Sequence, residues 1–301
     1  ITLLRFVSEK DKFEVYYQKH LARRLLHQKS ESHEIETEMI SRMKRELGNN
    51  FTHKFEGMFK DVRMSKEMTE AYAKHVRGLG EASEKQVDLS INVLGGNNWP
   101  KEISGRTTYA EHDEAGLNYP PEIRNLQESF FKFYSKDRTG RKLAWAATVG
   151  SADIQCLFPK IPGKTSGPLS KDRRYELTVS TYGMIILLLF NDLPEGEWLS
   201  LEDIQGRTNI PQTDLINALT SLSVVKTTKV LLKEPPTKAI VKAGDRFTFN
   251  REFTSKTIKI KMGTVNATSK VENEEERKET NDKTADTRKY VADAAIVRIM
   301  K

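Results

Sequence analysis

The apolar residues of this chain change their repeat partway along it, and that change limits what it can fold into. Up to Leu79 they recur every three or four positions. Phe13, Tyr16, Tyr17, Leu21 and Leu25 make one stripe, and Ile35, Met39, Met43 and Leu47 a second. Phe55, Met58, Phe59 and Val62 make a third, and Met68, Tyr72, Val76 and Leu79 a fourth. A stripe at that spacing is the buried side of an α-helix. Gly48, Gly78 and Gly80 supply stops. Four successive amphipathic helices with short breaks predict a helical bundle over residues 1–82. From Val87 the repeat is two: Val87, Leu89, Ile91 and Val93 alternate with Asp88, Ser90 and Asn92. That pattern predicts a strand with one buried face, closed by the turn residues Gly95-Gly96-Asn97-Asn98.

Beyond Pro100 the residues to 119 are polar and loop-like. Pro121 suits the first turn of a helix that Ile123, Leu126, Phe130 and Phe133 carry to about Tyr134. Three alternating runs follow: Leu143, Trp145, Ala147 and Val149; Ile154, Cys156 and Phe158; Tyr175, Leu177 and Val179. They predict a small α/β domain over 83–180. Ser180 or Thr181 then caps an apolar helix from Met184 to Phe190, and Ser200 with Asp203 resembles a capping pair. Thr208-Asn209-Ile210-Pro211 is a turn before a helix driven by Leu215, Leu219 and Leu222. Val230–Leu232 and Phe247–Phe249 are short strands around a loop with Pro235, Pro236 and Gly244. Helix, helix, turn, helix, strand, loop, strand is the order of a winged-helix domain, placed at 181–262. Residues 263–301 form a charged linker and helix. The predicted class is α+β, mostly helical.

Composition removes several functions. The one cysteine, Cys156, cannot make an internal disulfide or a zinc site built on thiolates. A reducing compartment, cytoplasm or nucleus, fits it. Cys156 alternates with Ile154 and Phe158, which places it toward a core rather than at a reactive surface. His20, His27, His33, His53, His75 and His112 form no metal-ligand pattern, and Gly95-Gly96 lacks the lysine of a phosphate-binding loop. The longest apolar run, Met184–Phe190, falls well short of the roughly 18–20 residues that span a bilayer. The residues therefore call for no cofactor, no metal and no catalytic group, and any chemistry must be supplied by a partner.

Six stretches taken together resemble the C-terminal half of the cullins: Asp11–Leu26 (DKFEVYYQKHLARRLL), Phe51–Asp61 (FTHKFEGMFKD), Val87–Pro100 (VDLSINVLGGNNWP), Gly140–Trp145 (GRKLAW), Tyr175–Phe190 (YELTVSTYGMIILLLF) and Ala294–Lys301 (AAIVRIMK). Their order and spacing match over essentially the whole chain. The segments Phe253-Thr254-Ser255-Lys256, Lys233-Glu234-Pro235 and Glu275–Thr280 lean toward the cullin that recruits BTB-domain adaptors. The resemblance implies a scaffold of a ubiquitin ligase with no active site of its own. This half would hold a RING-box protein, which brings the ubiquitin-charged conjugating enzyme. Adaptors would sit on an N-terminal half that nothing here matches, and the assembly would serve proteasomal degradation.

Two sets of residues follow from that resemblance. A strand of the RING-box protein is expected against Val87, Leu89, Ile91, Val93, Leu143, Trp145 and Ile154. Lys301 is expected to accept a ubiquitin-like modifier (neddylation), with Ile296, Val297, Arg298, Ile299 and Met300 as its motif. On a helix Ala292, Ala295, Ile296, Ile299 and Met300 share one face, and Arg298 and Lys301 fall on another. The chain opens at Ile1 without methionine and both ends read as continuing; cullins run on past this lysine into a second winged-helix domain. The alternative is a winged-helix nucleic-acid-binding protein. Its candidate recognition helix, Pro211–Leu222, carries Asp214 and neither lysine nor arginine, which disfavours groove and phosphate contacts.

Overall fold

The computed structural model describes residues 2–26, 33–78, 87–100, 103, 108–109, 116–138, 140–194, 196–237, 240–263 and 274–300. Its helices are α1 (Lys10–Leu26), α2 (His33–Leu47), α3 (Asn49–Gly78), α4 (Pro121–Asp137), α5 (Thr181–Leu189), α6 (Leu201–Thr208), α7 (Gln212–Ser223) and α8 (Glu274–Met300). Its strands are β1 (Thr108–Tyr109), β2 (Ala144–Trp145), β3 (Ser151–Phe158), β4 (Arg173–Ser180), β5 (Leu199–Ser200), β6 (Leu231–Glu234), β7 (Arg246–Phe249) and β8 (Lys259–Lys261). The chain is mostly helical with small sheets of short strands. It divides into two compact units, Ile1–Gly105 with Lys270–Lys301, and Arg106–Ser269.

In the first unit the core is built from Leu21 and Leu25 of α1, Ile40 and Met43 of α2, and Phe55, Met58, Val62, Met68, Tyr72 and Val76 of α3. The third and fourth apolar stripes of the sequence therefore lie on one helix, not two. Nothing between Val62 and Met68 stops a helix, and the buried Ser65 continues the stripe across the gap. Between α2 and α3 the stop is real. Gly48 takes a left-handed φ of 87°, which costs a residue without a Cβ little, and its N–H donates to Lys44 O at 2.9 Å. Arg24 of α1 donates to Glu36 of α2, and the Tyr17 hydroxyl donates to the same carboxylate at 3.3 Å. Burial, then the Glu36 charge, push the Tyr17 hydroxyl up to about 12.

The second unit carries three sheets, β1-β2, β3-β4-β8 and β5-β7-β6. β3 and β4 are antiparallel from Ser151↔Ser180 to Phe158↔Arg173, and β8 joins β4 in parallel. The caps expected from sequence are present. Ser180 Oγ accepts from Gly183 N at 3.1 Å. Ser200 Oγ accepts from Asp203 N at 3.0 Å while Asp203 accepts from Ser200 N at 3.1 Å. One continuous core runs from Phe158 and Leu177 through Ile185, Ile204 and Leu219 to Phe247 and Ile260. The run Leu143 to Val149 is corrected: only Ala144–Trp145 is strand, and Ala147–Val149 is a 3-10 turn. Among the described residues its sole ladder partner is the two-residue β1, so the extended chain loses its neighbour after Trp145.

Phe158 is fully buried, stacks on Phe249 at 4.9 Å and meets Phe253 in a tilted contact at 5.3 Å. Arg173 closes over it, its guanidinium 5.9 Å from the ring. That guanidinium donates to Phe253 O at 2.6 Å, Arg251 O at 2.8 Å and Pro159 O at 3.0 Å, which ties the 251–253 backbone to the β3–β4 hairpin. Replacing Phe158 with alanine leaves a cavity in this centre, and Phe158→Ala is expected to cost about 3–5 kcal/mol in urea unfolding.

Candidate functional site

The segment from Val87 to Gly95 runs without helix or strand, turns at Gly96–Asn98, and has no strand beside it among the described residues. The strand expected there is corrected: no ladder forms over Val87–Val93 among the described residues. Its partner is the side of α3. Thr69 Oγ1 accepts from Ile91 N and donates to Ile91 O, both at 3.1 Å. Ser65 Oγ accepts from Val93 N at 2.8 Å and donates to Asp61 O at 2.7 Å. Asp61 then accepts from Gly95 N at 2.9 Å and from Trp99 Nε1 at 2.8 Å. One turn further back, Gly57 leaves room for Asn98, whose side chain lies 2.5 Å from where a Cβ would stand. Gln18 of α1 donates to Asn98 O at 2.7 Å.

The register has a geometric cause. Residues 57, 61, 65 and 69 are four apart, and each helical step of four rises about 6 Å. Ile91, Val93 and Gly95 are two apart, and each strand step of two rises about 6.7 Å. The two spacings match closely enough for hydroxyls and a carboxylate to replace a neighbouring strand. Ile91 is buried, Leu89 and Val93 are half-buried, and Val87, Asp88, Ser90 and Asn92 are exposed.

Because backbone amides alternate along a strand, the groups of Ser90, Asn92 and Leu94 point away from α3. Among the described residues none of these N–H or C=O groups has a partner. A second such edge lies on β3 in the other unit. Glu176 N donates to Ile258 O and Met262 N donates to Thr178 O, both at 2.9 Å, so these β4 residues face β8. Tyr175, Leu177 and Val179 therefore face β3 and bond Cys156, Ile154 and Ala152. That leaves the amides of Asp153, Gln155 and Leu157 turned to the open side, where β3 is the outer strand of its sheet.

The other expected contact residues fall nearby in sequence but differ in setting. Ile154 is half-buried and packs on the core. Leu143 is half-buried outside β2, and Trp145 meets Phe130 edge-on at 6.0 Å. Val87 to Val93 belong to the first unit, and Leu143, Trp145 and Ile154 to the second. Ile296, Val297, Arg298, Ile299 and Met300 are all exposed on α8, and Lys301 lies outside the described residues. The sequence reading did not single out Asp61, Ser65 and Thr69, although their four-residue spacing beside an apolar stripe was visible.

Cys156 is half-buried, and desolvation pushes its thiol up to about 11. A thiol so far above neutral pH carries almost no thiolate, the form that attacks a thioester. Among the described residues no cluster of histidine, cysteine or carboxylate could hold a metal ion, and no helix is long and apolar enough to cross a membrane.

Residues 93–253 match the model of the cullin alpha+beta domain, and residues 1–69 match that of the cullin alpha solenoid domain. The chain belongs to the cullin family. It is 43% identical over its whole length to Cullin-3 of Schizosaccharomyces pombe, covering 35% of that protein. It is 39% identical over 99% of its length to Cullin-3A of Arabidopsis thaliana, covering 37%. It is 38% identical over 99% of its length to Cullin-4A of Mus musculus, covering 35%. The chain thus spans about a third of the length of these cullins. The leaning toward cullin-3 in the sequence agrees with the relatives found. For this cullin chain, Cys156 is expected to react with a colorimetric thiol reagent far more slowly at pH 7.5 in the native state than in denaturant. Equal rates in the two states would contradict its burial.

Proposed function

We propose that this chain is the RING-box-binding part of a cullin scaffold and contributes no catalytic group. The observation that carries this reading is the edge at Ser90, Asn92 and Leu94, open among the described residues, with the inner amides of Ile91 and Val93 already satisfied by Thr69 and Ser65. A strand edge of this kind is completed by an extended segment from another protein, through backbone hydrogen bonds for affinity and alternating side chains for register. The β3 edge at Asp153, Gln155 and Leu157 offers the same chemistry. A RING-box protein supplying such a segment would bring the ubiquitin-charged conjugating enzyme. BTB-type adaptors would join through the longer protein, in the cytoplasm and nucleus.

The modifier acceptor in this reading is Lys301. Its deprotonated amine attacks the thioester carbonyl of the charged modifier, the C–N bond forms, and the thiol of the conjugating enzyme leaves. The region α5, α6, α7, β6 and β7 is read as a winged helix. No observation on α7 favours nucleic acid, since it carries Asp214 and neither lysine nor arginine.

Co-expression with a RING-box protein is expected to give a soluble one-to-one complex. Proline removes one outward N–H without touching the inner bonds, so Asn92→Pro and Gln155→Pro should each weaken the complex at least tenfold, about 1.4 kcal/mol. Full binding by both variants would sink the edge assignment. In a chain extended by the downstream winged-helix domain of the family, Lys301→Arg should abolish modifier attachment. Undiminished attachment elsewhere would remove Lys301 as the acceptor.

A further inference from the structure

Helix α8 runs from Glu274 to Met300, yet Thr284 is its one buried side chain among those described. From Ala285 to Met300 every residue is exposed, including Tyr290, Val291, Ile299 and Met300. A helix that buries so little apolar surface is not held by the hydrophobic effect. At the start of α1 it meets charge. Arg288 stands four residues after Thr284 and so shares its side of the helix. Its guanidinium forks onto Asp11, with Nη2 2.8 Å from Oδ1 and Nε bonded to Oδ2, and Nη2 lies 3.4 Å from Glu9 Oε1. Asp11 sits in the first turn of α1, where the helix dipole favours a carboxylate. Glu9 is also paired with Lys12 at 2.8 Å. Arg288 holds the Asp11 carboxyl below the usual carboxylate range, so the contact stays charged at neutral pH.

The geometry points to a clasp: Arg288 on Asp11 and Glu9 fixes α8 to the start of α1, and opening this exposed ion cluster releases the C-terminal half of the helix. Side chains in the cluster are about half exposed, 51% for Arg288 and 40% for Asp11. Exposed pairs of this kind are worth little individually and are screened by salt. The clasp therefore separates a docked and a released helix by a small free energy that charge can tip. Met300 lies twelve residues beyond Arg288, about 18 Å along a rigid helix. A pivot of roughly 20° at the clasp then swings the tip about 6 Å, by the same rise per residue. The link to modifier attachment rests on Lys301 being the acceptor; the clasp itself does not.

The test is a distance measurement that needs no modification reaction. Spin labels are placed by His20→Cys on α1 and Ala294→Cys on α8, in the whole chain carrying Cys156→Ala. One narrow distance distribution is expected at low salt, broadening and lengthening as salt rises from about 0.05 M to about 0.5 M, where the Debye length falls severalfold. Arg288→Glu should give the broad distribution at low salt, and Arg288→Glu combined with Asp11→Arg and Glu9→Arg should restore the narrow one. An Arg288→Glu distribution unchanged from the parent overturns the clasp. So does a release that the charge swap fails to reverse. Either result leaves the Lys301→Arg outcome untouched, and loss of the Lys301 assignment leaves the distances untouched.

Discussion

Thr69, Ser65 and Asp61, one turn apart on α3, bind the inner edge of the segment from Ile91 to Gly95 and fix its register on the helix. A single extended segment is ordinarily marginal in water, because it leaves half its backbone groups without a defined partner. Here the helix supplies partners for one edge only. The inner amides are satisfied, Ile91 is buried, and Trp99 is locked by Asp61 at the end of the run. The outer amides of Ser90, Asn92 and Leu94 have no partner among the described residues.

The two kinds of attachment in the molecule differ in strength for physical reasons. Around the fully buried Phe158 an aromatic cluster and the guanidinium of Arg173 hold sheet and loop together at close contact distances. A partner strand landing on β3 meets a rigid surface, with little ordering left to do on binding. Helix α8 is the reverse: a long rod with one buried side chain among those described and an exposed ion cluster.

Much of the fold was legible because periodicity and caps act locally. The stripe from Phe13 to Leu25, the capping box at Ser200 and Asp203, and the strands around Leu177 and Phe247 all formed where the residues placed them. The errors came where a distant neighbour decided. Leu143 to Val149 alternates like a strand, but a strand needs a companion and the ladder ends at Trp145. The break expected after Val62 failed for the converse reason, since a small polar residue at a helical position, Ser65, can be buried when the backbone of another segment satisfies it. At the candidate site the alternating residues Val87 to Val93 were visible, whereas the hydroxyls that hold them were not, because serine and threonine on a helix read as surface.

One edge of the 90–94 segment is satisfied from within, and the other is open among the described residues. Amide hydrogen exchange followed by NMR, with and without a RING-box protein, tests it residue by residue. The amides of Ile91 and Val93 should exchange slowly in both samples. Those of Ser90, Asn92 and Leu94 should exchange fast in the free chain and slowly in the complex. Slow exchange at Ser90, Asn92 and Leu94 in the free chain, or fast exchange there in a fully formed complex, would contradict it.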